Sequence, residues 1–186
     1  MHQLLSTTGH IPIQTATLAD WPYIEAFHHR CSEQALHRRW GRTRIVRHDI
    51  ERLLRHSRCW IAVHGADGVI ALGSAGPVSR QPGVFDLGLQ VADTHQRRGI
   101  GLALARRAAV HARSRGAHTL SVYTQASNLP MLGLVRRLGH VTASRDATHL
   151  DVRLSLSGAG TILPRTSHPG GFPAVHHTTE KSSDQP

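Results

Sequence analysis

The chain has 186 residues, of which 22 are Lys or Arg and 12 are Asp or Glu, so its formal net charge is +10. The length fits one domain, since domains usually run to roughly 100–200 residues. Hydrophobic residues make up 39% of the chain, which is enough for a core and excludes global disorder. No apolar run approaches the roughly 18 residues of a membrane-spanning helix, which excludes a helical membrane protein. The N-terminus lacks a secretory signal, and Cys31 and Cys59 are too few for a disulfide framework, so we expect a cytoplasmic setting.

The positive charge lies entirely in residues 1–156, because residues 157–186 hold two basic and two acidic side chains that cancel. Such an excess fits a nucleic acid, an anionic cofactor or an acidic partner, and it also fits an arginine-rich surface without a ligand. Aromatic residues make up only 4% of the chain and form no pattern for stacking on bases, which disfavours nucleic acid as a partner.

Composition divides the chain into three parts. Residues 157–186 are rich in Gly, Pro, Ser and Thr and are predicted to be a disordered tail, since they cannot bury enough surface to offset the entropy of ordering. Residues 11–156 form the predicted domain, and residues 1–10 precede it as a short lead. The histidines of the tail lack Cys or carboxylate partners at ligand spacing, so no metal site is predicted.

Strands and helices alternate along the predicted domain. In chain order, the predicted elements are strand Ile11–Ala16, helices Trp21–Arg30, Ser32–Trp40 and His48–Arg55, strands Cys59–Val63, Val69–Ala75 and Val84–Val91, helix Gly99–Arg115, strand Thr119–Thr124, helix Asn128–Leu138, and strands Val141–Ala143 and Leu150–Leu156. Asp20 is a candidate N-cap with Pro22 in the first turn, and Gly116 is a candidate C-cap. Ala66–Gly68 carries the turn chemistry of a hairpin. This mixture of hairpins and crossovers predicts an α/β (α+β) fold around a mixed sheet.

The segment from Gln96 to Gly101 (QRRGIG) follows a predicted strand and opens a predicted helix. Its glycines let the backbone approach a ligand, and the unpaired N–H groups of a helix N-terminus favour an anion such as a pyrophosphate. Arg97 and Arg98 add positive charge at the same place. By itself, the segment also fits a tight strand-to-helix turn without a ligand, because it lacks the complete Rossmann and P-loop patterns. His95, just before it, is interpreted as a solvated loop residue.

Together with the later run Asn128–His140 (NLPMLGLVRRLGH), this segment resembles the GNAT superfamily of acyl-CoA-dependent N-acyltransferases, over roughly residues 11–156. The pyrophosphate loop of that family reads Q/R-x-x-G-x-G/A, and Gln96, Gly99 and Gly101 fill its three fixed positions. The later run is most similar to the bacterial Pat-like protein-lysine acetyltransferase branch, whose helix reads E-N-x-x-M-L-x-L-x-R-R-L-G-F. The early pairs Cys31-Ser32 and Arg39-Trp40 stand near an S-x-x-S-x-x-x-R-F pattern of the same branch.

The resemblance implies a mostly antiparallel, twisted sheet flanked by helices, with splayed central strands that bind acetyl-CoA as co-substrate and no metal. It implies that the base of the branch, a Glu, is replaced here by Asp86. It also implies that the cofactor-binding residues are Leu89, Gln90, Val91, Gln96, Arg97, Arg98, Gly99, Ile100, Gly101, Leu102 and Asn128. Asn128 also fits the plain role of an N-cap for its own helix.

Acetyl transfer to an amine also needs a general base, and Asp86 is a candidate for that role. An amine is protonated at neutral pH and must lose a proton before it attacks a thioester, so a carboxylate within reach can act as a base. Asp86 lies within an apolar strand on the face opposite to Phe85 and Leu87, where a charge is expensive unless it is used or paired. The alternative is an edge strand with Asp86 in water. Many relatives protonate the leaving thiolate with a Tyr at the position of Val135, which this chain lacks, and Tyr123 is interpreted as a packing residue.

The sequence therefore predicts direct acetyl transfer from acetyl-CoA to a primary amine, with a protein lysine favoured by the branch resemblance. A small-molecule amine is the first alternative. A catalytically degenerate CoA-binding regulatory module is the second, because Asp replaces Glu and the Tyr is absent. A nucleic-acid binder is motivated by the charge alone. The sequence specifies no oligomeric state.

Overall fold

The computed structural model describes residues 11–157. One sheet contains seven strands: β1 (Ile13–Thr15), β2 (Arg58–His64), β3 (Gly68–Pro77), β4 (Val84–Val91), β5 (Thr119–Gln125), β6 (Val141–Asp146) and β7 (His149–Ser155). Within the same residues there are five α-helices: α1 (Trp21–His29), α2 (Glu33–Trp40), α3 (Arg47–His56), α4 (Ile100–Ser114) and α5 (Leu129–Arg136). The predicted lead (residues 1–10) and nearly all of the predicted tail, from residue 158, lie outside the described residues.

The predicted elements are all present, with ends that move by a few residues. Ser32 caps α2 by accepting a hydrogen bond from the Ala35 N–H at 3.3 Å, and Gly116 adopts a left-handed φ of 80° just after α4. The prediction for Asp20 is wrong in detail. It precedes α1, but its carboxylate accepts from the Thr17 N–H at 2.7 Å instead of capping that helix. No helix within residues 11–157 is long and apolar enough to cross a bilayer.

The strands lie in the order β1-β2-β3-β4-β5-β7-β6. Every neighbouring pair is antiparallel except β4 and β5, which are parallel. That parallel pairing joins only Val84–Asp86 to Thr119–Ser121, although both strands continue well beyond it. The two central strands therefore separate after Asp86. The predicted mixed, mostly antiparallel α/β architecture with splayed central strands is confirmed.

Helices cover both faces of the sheet and produce two apolar cores. On one face α4 and α5 bury Leu104 and Val135 against Leu120 of β5. On the other face α1 and α3 bury Phe27 and Ile50 with the sheet. Because both faces are covered, β3 has eight consecutive buried residues between its two ends. A strand buried on both faces reads as a continuous apolar run, which explains why sequence periodicity locates it but does not orient it.

We expect Leu104→Ala to lower the free energy of unfolding by about 2–5 kcal/mol, because it leaves a cavity under the sheet. Leu104 is 0% exposed, and its Cβ would lie 3.1 Å from a Cβ added to Gly73, so α4 is already in close contact with β3. Val110 is 57% exposed on the same helix, and Val110→Ala should change stability by no more than about 0.5 kcal/mol. Urea unfolding of both variants tests this, and equal losses would contradict the described packing.

Candidate functional site

A cleft of about 1250 Å³ opens where β4 and β5 separate. Its walls come from both strands, from α2, and from the segments that begin α4 and α5. Arg98, predicted as a cofactor contact, is exposed on the neighbouring loop but does not line the cleft. All the other predicted site residues do line it: Asp86, Leu89, Gln90, Val91, Gln96, Arg97, Gly99, Ile100, Gly101, Leu102 and Asn128.

The edge of β4 that faces the cleft carries unpaired backbone groups. The Ala92 N–H donates to the Ile70 carbonyl at 2.9 Å on the β3 side. Because hydrogen bonding alternates along an antiparallel ladder, the N–H and C=O groups of Leu89 and Val91, which lie beyond the pairing with β5, point the other way, toward the gap. The Val91 carbonyl already accepts from the Gln96 side chain at 3.2 Å. The remaining groups form an open strand edge that an extended ligand with amide groups can pair with.

Gln90 differs from its two neighbours on this strand. The same alternation directs its backbone groups to β3, and its side chain is only 4% exposed. Its Oε1 is buried without a hydrogen-bond partner within the described residues. Gln90 therefore lines the cleft, as expected of a cofactor-binding residue, but it presents no backbone pair to it.

The loop between β4 and α4 presents the start of α4 to the cleft. Arg97 and Gly99 have positive φ values of 60° and 80°, and no side chain caps the helix. The first N–H groups of α4 are therefore free to bind an anion, aided by the helix dipole. Gln96 stabilises this loop by two hydrogen bonds, because its Nε2 donates to the Val91 carbonyl and to Asp93 Oδ1, both at 3.2 Å.

Gly101 has a packing role of its own. A Cβ added to it would lie 3.1 Å from Leu134 Cδ1 and 3.8 Å from Val91 Cγ2. The first is tighter than ordinary van der Waals contact, so the glycine lets α4 approach α5 and the end of β4 at the same point. This approach brings the N-terminus of α4 to the mouth of the gap between β4 and β5.

Asn128 is the N-cap of α5. Its Oδ1 accepts from the Met131 N–H at 3.4 Å, and its Nδ2 donates to Thr124 Oγ1 at 2.9 Å. The side chain is 8% exposed. Both of its polar ends are thus engaged within the protein, and the capping role that the sequence allowed is the one the structure shows.

Asp86 lies at the vertex of the cleft. It faces Ser121 in the last residue pair that joins β4 to β5, and β4 is the central strand of the seven. The alternative of an edge strand is therefore wrong. The side chain is open to the cleft while protein surrounds its other sides. This partial loss of water raises the pKa of Asp86, Arg39 opposes the rise, and Asp151 adds to it.

Arg39 is the functional candidate that the sequence reasoning missed. Its guanidinium lies directly over Gly88, so close that any Cβ at that position would overlap with it. Its Nη2 donates to Ser74 Oγ on β3 at 3.0 Å, and its charge acts on Asp86. Burial lowers the pKa of Arg39, and Asp86 opposes that change. The available signal was Gly88 itself, since a glycine inside a strand often marks the close approach of another group.

Tyr123 lies in the cleft and not in the core. It is 56% exposed, its ring stacks on His149 with centroids 5.0 Å apart, and its hydroxyl donates to Asp146 at 2.9 Å. This hydrogen bond raises the pKa of Tyr123. Val135, at the position where many relatives have a Tyr, is 1% exposed and belongs to the core.

Neither cysteine is suited to act as a nucleophile. Burial raises the pKa of Cys31 to about 11 and that of Cys59 to about 12. Both thiols stay protonated at neutral pH, whereas the thiolate is the reactive form. The described residues therefore offer no thiolate for a covalent acyl intermediate.

Solved structures with the same fold are numerous, although no curated protein sequence matches the chain significantly. The GNAT domain of S. lividans PAT is 20% identical with a TM-score of 0.70, over 79% of this chain and 91% of that one. The yncA protein of Salmonella typhimurium, a putative acetyltransferase solved with acetyl-CoA, is 18% identical with a TM-score of 0.66, over 82% and 98%. The ribosomal-protein-S18-alanine N-acetyltransferase of Escherichia coli is 19% identical with a TM-score of 0.62, over 83% and 99%.

These TM-scores show a shared fold. The sequence model of the acetyltransferase (GNAT) family matches residues 16–140, about two thirds of the chain, which begin directly after β1 and include β4, the loop, α4 and α5. The chain therefore belongs to the acetyltransferase (GNAT) family.

Proposed function

We propose that this chain transfers an acetyl group from acetyl-CoA directly to a primary amine, with Asp86 as general base. One observation carries the proposal. A carboxylate lies at the vertex of a cleft that also contains an open strand edge and an uncapped helix N-terminus. These are the parts needed to hold a long amide-containing cofactor that ends in a pyrophosphate and to deprotonate an amine beside its thioester.

The cofactor arm has two groups of contacts. Backbone groups of Leu89 and Val91 pair with the amides of the pantetheine arm as a neighbouring strand would. The N–H groups from Gly99 to Leu102 hold the pyrophosphate, and the exposed Arg97 adds positive charge. The acetyl-CoA in the Salmonella protein of the same fold supports this cofactor.

The reaction needs no covalent intermediate on the protein. Asp86 accepts a proton from the ammonium group, directly or through a water, and the freed nitrogen attacks the thioester carbonyl carbon. A backbone N–H on β4 near Leu89 stabilises the oxyanion of the tetrahedral intermediate. When this intermediate collapses, the C–N bond remains and the C–S bond breaks. The second proton that the nitrogen must lose passes through water to the departing thiolate of CoA, and Asp86 releases the first proton to solvent. A thiol with a pKa of roughly 8.5 leaves without a dedicated acid, which fits the buried Val135.

Arg39 adjusts the base in this scheme. Partial burial raises the pKa of Asp86, which strengthens it as a base, and the Arg39 charge opposes that rise. Asp86 is one methylene shorter than the Glu of the Pat-like branch. A water between the carboxylate and the amine makes up that length.

A protein lysine is the acceptor that the pattern on α5 supports, because Met131-Leu132 and Arg136-Gly139 match the Pat-like branch. The S. lividans PAT domain shares the fold. A small amine is the alternative acceptor, because a carboxylate beside an acyl-CoA cleft can deprotonate any amine that reaches it. A degenerate CoA-binding module is the non-enzymatic alternative. A cytoplasmic setting stays a prediction.

We expect acetyl-CoA to raise the melting temperature of the full chain, because a ligand that binds the native state stabilises it by about 2.7 kcal/mol at 100 times Kd. Arg97→Ala should reduce the shift at a fixed acetyl-CoA concentration. Arg145→Ala, an exposed arginine on β6 that does not line the cleft, serves as the matched control and should leave the shift unchanged. No shift at saturating acetyl-CoA would overturn the cofactor assignment.

We expect Asp86→Asn to lower kcat for CoA release by about 10²-fold or more, because a positioned general base contributes about 10²–10⁴-fold. The variant should still bind acetyl-CoA in the melting assay. Asp86→Glu restores the residue of the branch and should retain turnover. Turnover of Asp86→Asn at the rate of the unmodified chain would remove Asp86 from its role.

The acceptor for this assay comes from a screen with labelled acetyl-CoA against a proteome extract and a panel of small amines. Label on protein lysines supports the proposal. Label on small amines alone would show that the acceptor is a small amine and not a protein lysine. Acetyl-CoA binding without any product favours the degenerate module, and Asp86→Asn is the blank in each arm.

We expect Arg39→Gln to move the acidic limb of the kcat/KM profile to higher pH. A base works when ionised, so activity falls as pH falls through its pKa, and losing the Arg39 charge raises the pKa of Asp86 further. Gly88→Ala should produce the same direction of shift while keeping the arginine, because the new Cβ displaces the guanidinium. Arg39→Lys keeps the positive charge, so its acidic limb should lie between those of Arg39→Gln and the unmodified chain.

Val110→Ala is the control for this pH profile. Val110 is exposed on α4 and does not line the cleft. Its profile should follow that of the unmodified chain. If the acidic limb stays in place in both Arg39→Gln and Gly88→Ala, Arg39 does not act on the base.

A further inference from the structure

A second cluster of polar side chains lies at the edge of the sheet where β2 and β4 end, and one of its members, His95, also lines the cleft. His64 is the last residue of β2, Asp67 belongs to the turn that leads into β3, and His95 belongs to the short turn after β4. Because β2 and β4 are both antiparallel to β3, their carboxyl ends meet at the same edge. Residues that are far apart in the sequence thus become neighbours. The acetyl transfer proposed above makes no use of this cluster.

The three side chains converge on one point. His64 Nδ1 lies 3.1 Å from Asp67 Oδ2, and His95 Nε2 lies 3.3 Å from the same oxygen. All three potential ligand atoms lie within 4.8 Å of one another. In a tetrahedral site with metal–ligand bonds of about 2.0–2.1 Å, neighbouring ligand atoms are about 3.3 Å apart. The two separations to Asp67 Oδ2 are close to that value, and His64 is half exposed at the surface.

Burial and a contact at Nδ1 fix the orientation of the His95 ring. It is 8% exposed, and its Nδ1 lies 3.0 Å from Thr94 Oγ1. When Nδ1–H donates to that hydroxyl, the Nε2 lone pair is free and points toward Asp67. A second hydrogen bond of this kind commonly orients a histidine that binds a metal. The interpretation of His95 as a solvated loop residue was therefore wrong.

We propose that His64, Asp67 and His95 bind a divalent transition-metal ion of the zinc class. Two imidazole nitrogens and one carboxylate oxygen suit zinc, cobalt or nickel, whereas magnesium and calcium prefer oxygen ligands alone. Asp67 and His64 are about half exposed, so water completes the coordination. A site with three protein ligands keeps a position open for that water.

The ion connects two segments that the sequence holds far apart. It ties the β2–β3 turn to the turn that contains His95, and Gln96, which braces the loop before α4, is the next residue. Asp93 of the same turn also accepts from the Ser32 N–H at 2.9 Å, which links the turn to α2. The ion acts as a brace for this corner of the sheet and takes no part in the transfer chemistry.

The test uses the full chain stripped with a chelator and then titrated with Zn²⁺ or Co²⁺. We expect a saturable rise in melting temperature with either ion, and visible Co²⁺ absorption of the intensity that tetrahedral coordination gives. Asp67→Asn and His64→Ala should each weaken the ion's apparent affinity by at least about tenfold, since even outer-shell partners contribute about 10–100-fold. Both positions are half exposed, so the variants should fold.

Controls are needed because the chain has 16 histidines. His48→Ala removes an exposed histidine on α3, and a second control replaces His168, His176 and His177 by Ala in the full chain. Neither control should change the response. The proposal is overturned if no ion produces a saturable response, or if the control variants abolish the response while Asp67→Asn and His64→Ala keep it. None of these readouts depends on acetyl transfer.

Discussion

The parallel pairing of β4 with β5 stops at Asp86 and Ser121, and the site depends on where it stops. Each of these strands is fully paired on its other side, β4 with β3 and β5 with β7, so the sheet stays intact while the gap opens. The backbone groups left unpaired along β4 are costly to bury, but here they line a cleft and remain available to a ligand. One interruption of the ladder thus creates both the cavity and its hydrogen-bonding edge.

The same interruption decides how the charged groups are arranged. A carboxylate in the middle of a covered sheet would be desolvated on all sides, whereas Asp86 at the vertex keeps access to the cleft. Its remaining burial is offset by Arg39, which reaches it only because Gly88 presents no side chain. Two arginines thus line the cleft at defined points, Arg39 near the vertex and Arg97 at the loop. Most of the other arginines lie on exposed positions, where a pair with a carboxylate adds little stability.

Much of the fold could be predicted from the sequence because hydrophobic period, turn residues and caps are local signals. The cleft residues from Leu89 to Leu102 could be found by resemblance, since they are contiguous. Arg39 and the cluster of His64, Asp67 and His95 could not, because each depends on contacts between segments distant in the sequence. Asn128 is the opposite case, because its structural role could be predicted from the sequence. Its capping role follows from local sequence, and in the structure its Oδ1 caps α5 while its Nδ2 donates to Thr124 Oγ1.

The two glycines of the loop illustrate why a short motif carries more structural than chemical information. Gly99 is required by its φ of 80°, and nothing lies near the Cβ that it lacks. Gly101 has ordinary helical geometry, and it is the close approach of Leu134 that excludes a larger residue. The first glycine of G-x-G is therefore needed for a backbone conformation, and the second is needed for a helix–helix contact. Both place the start of α4 at the mouth of the gap, so the motif specifies the packing that positions the proposed anion site.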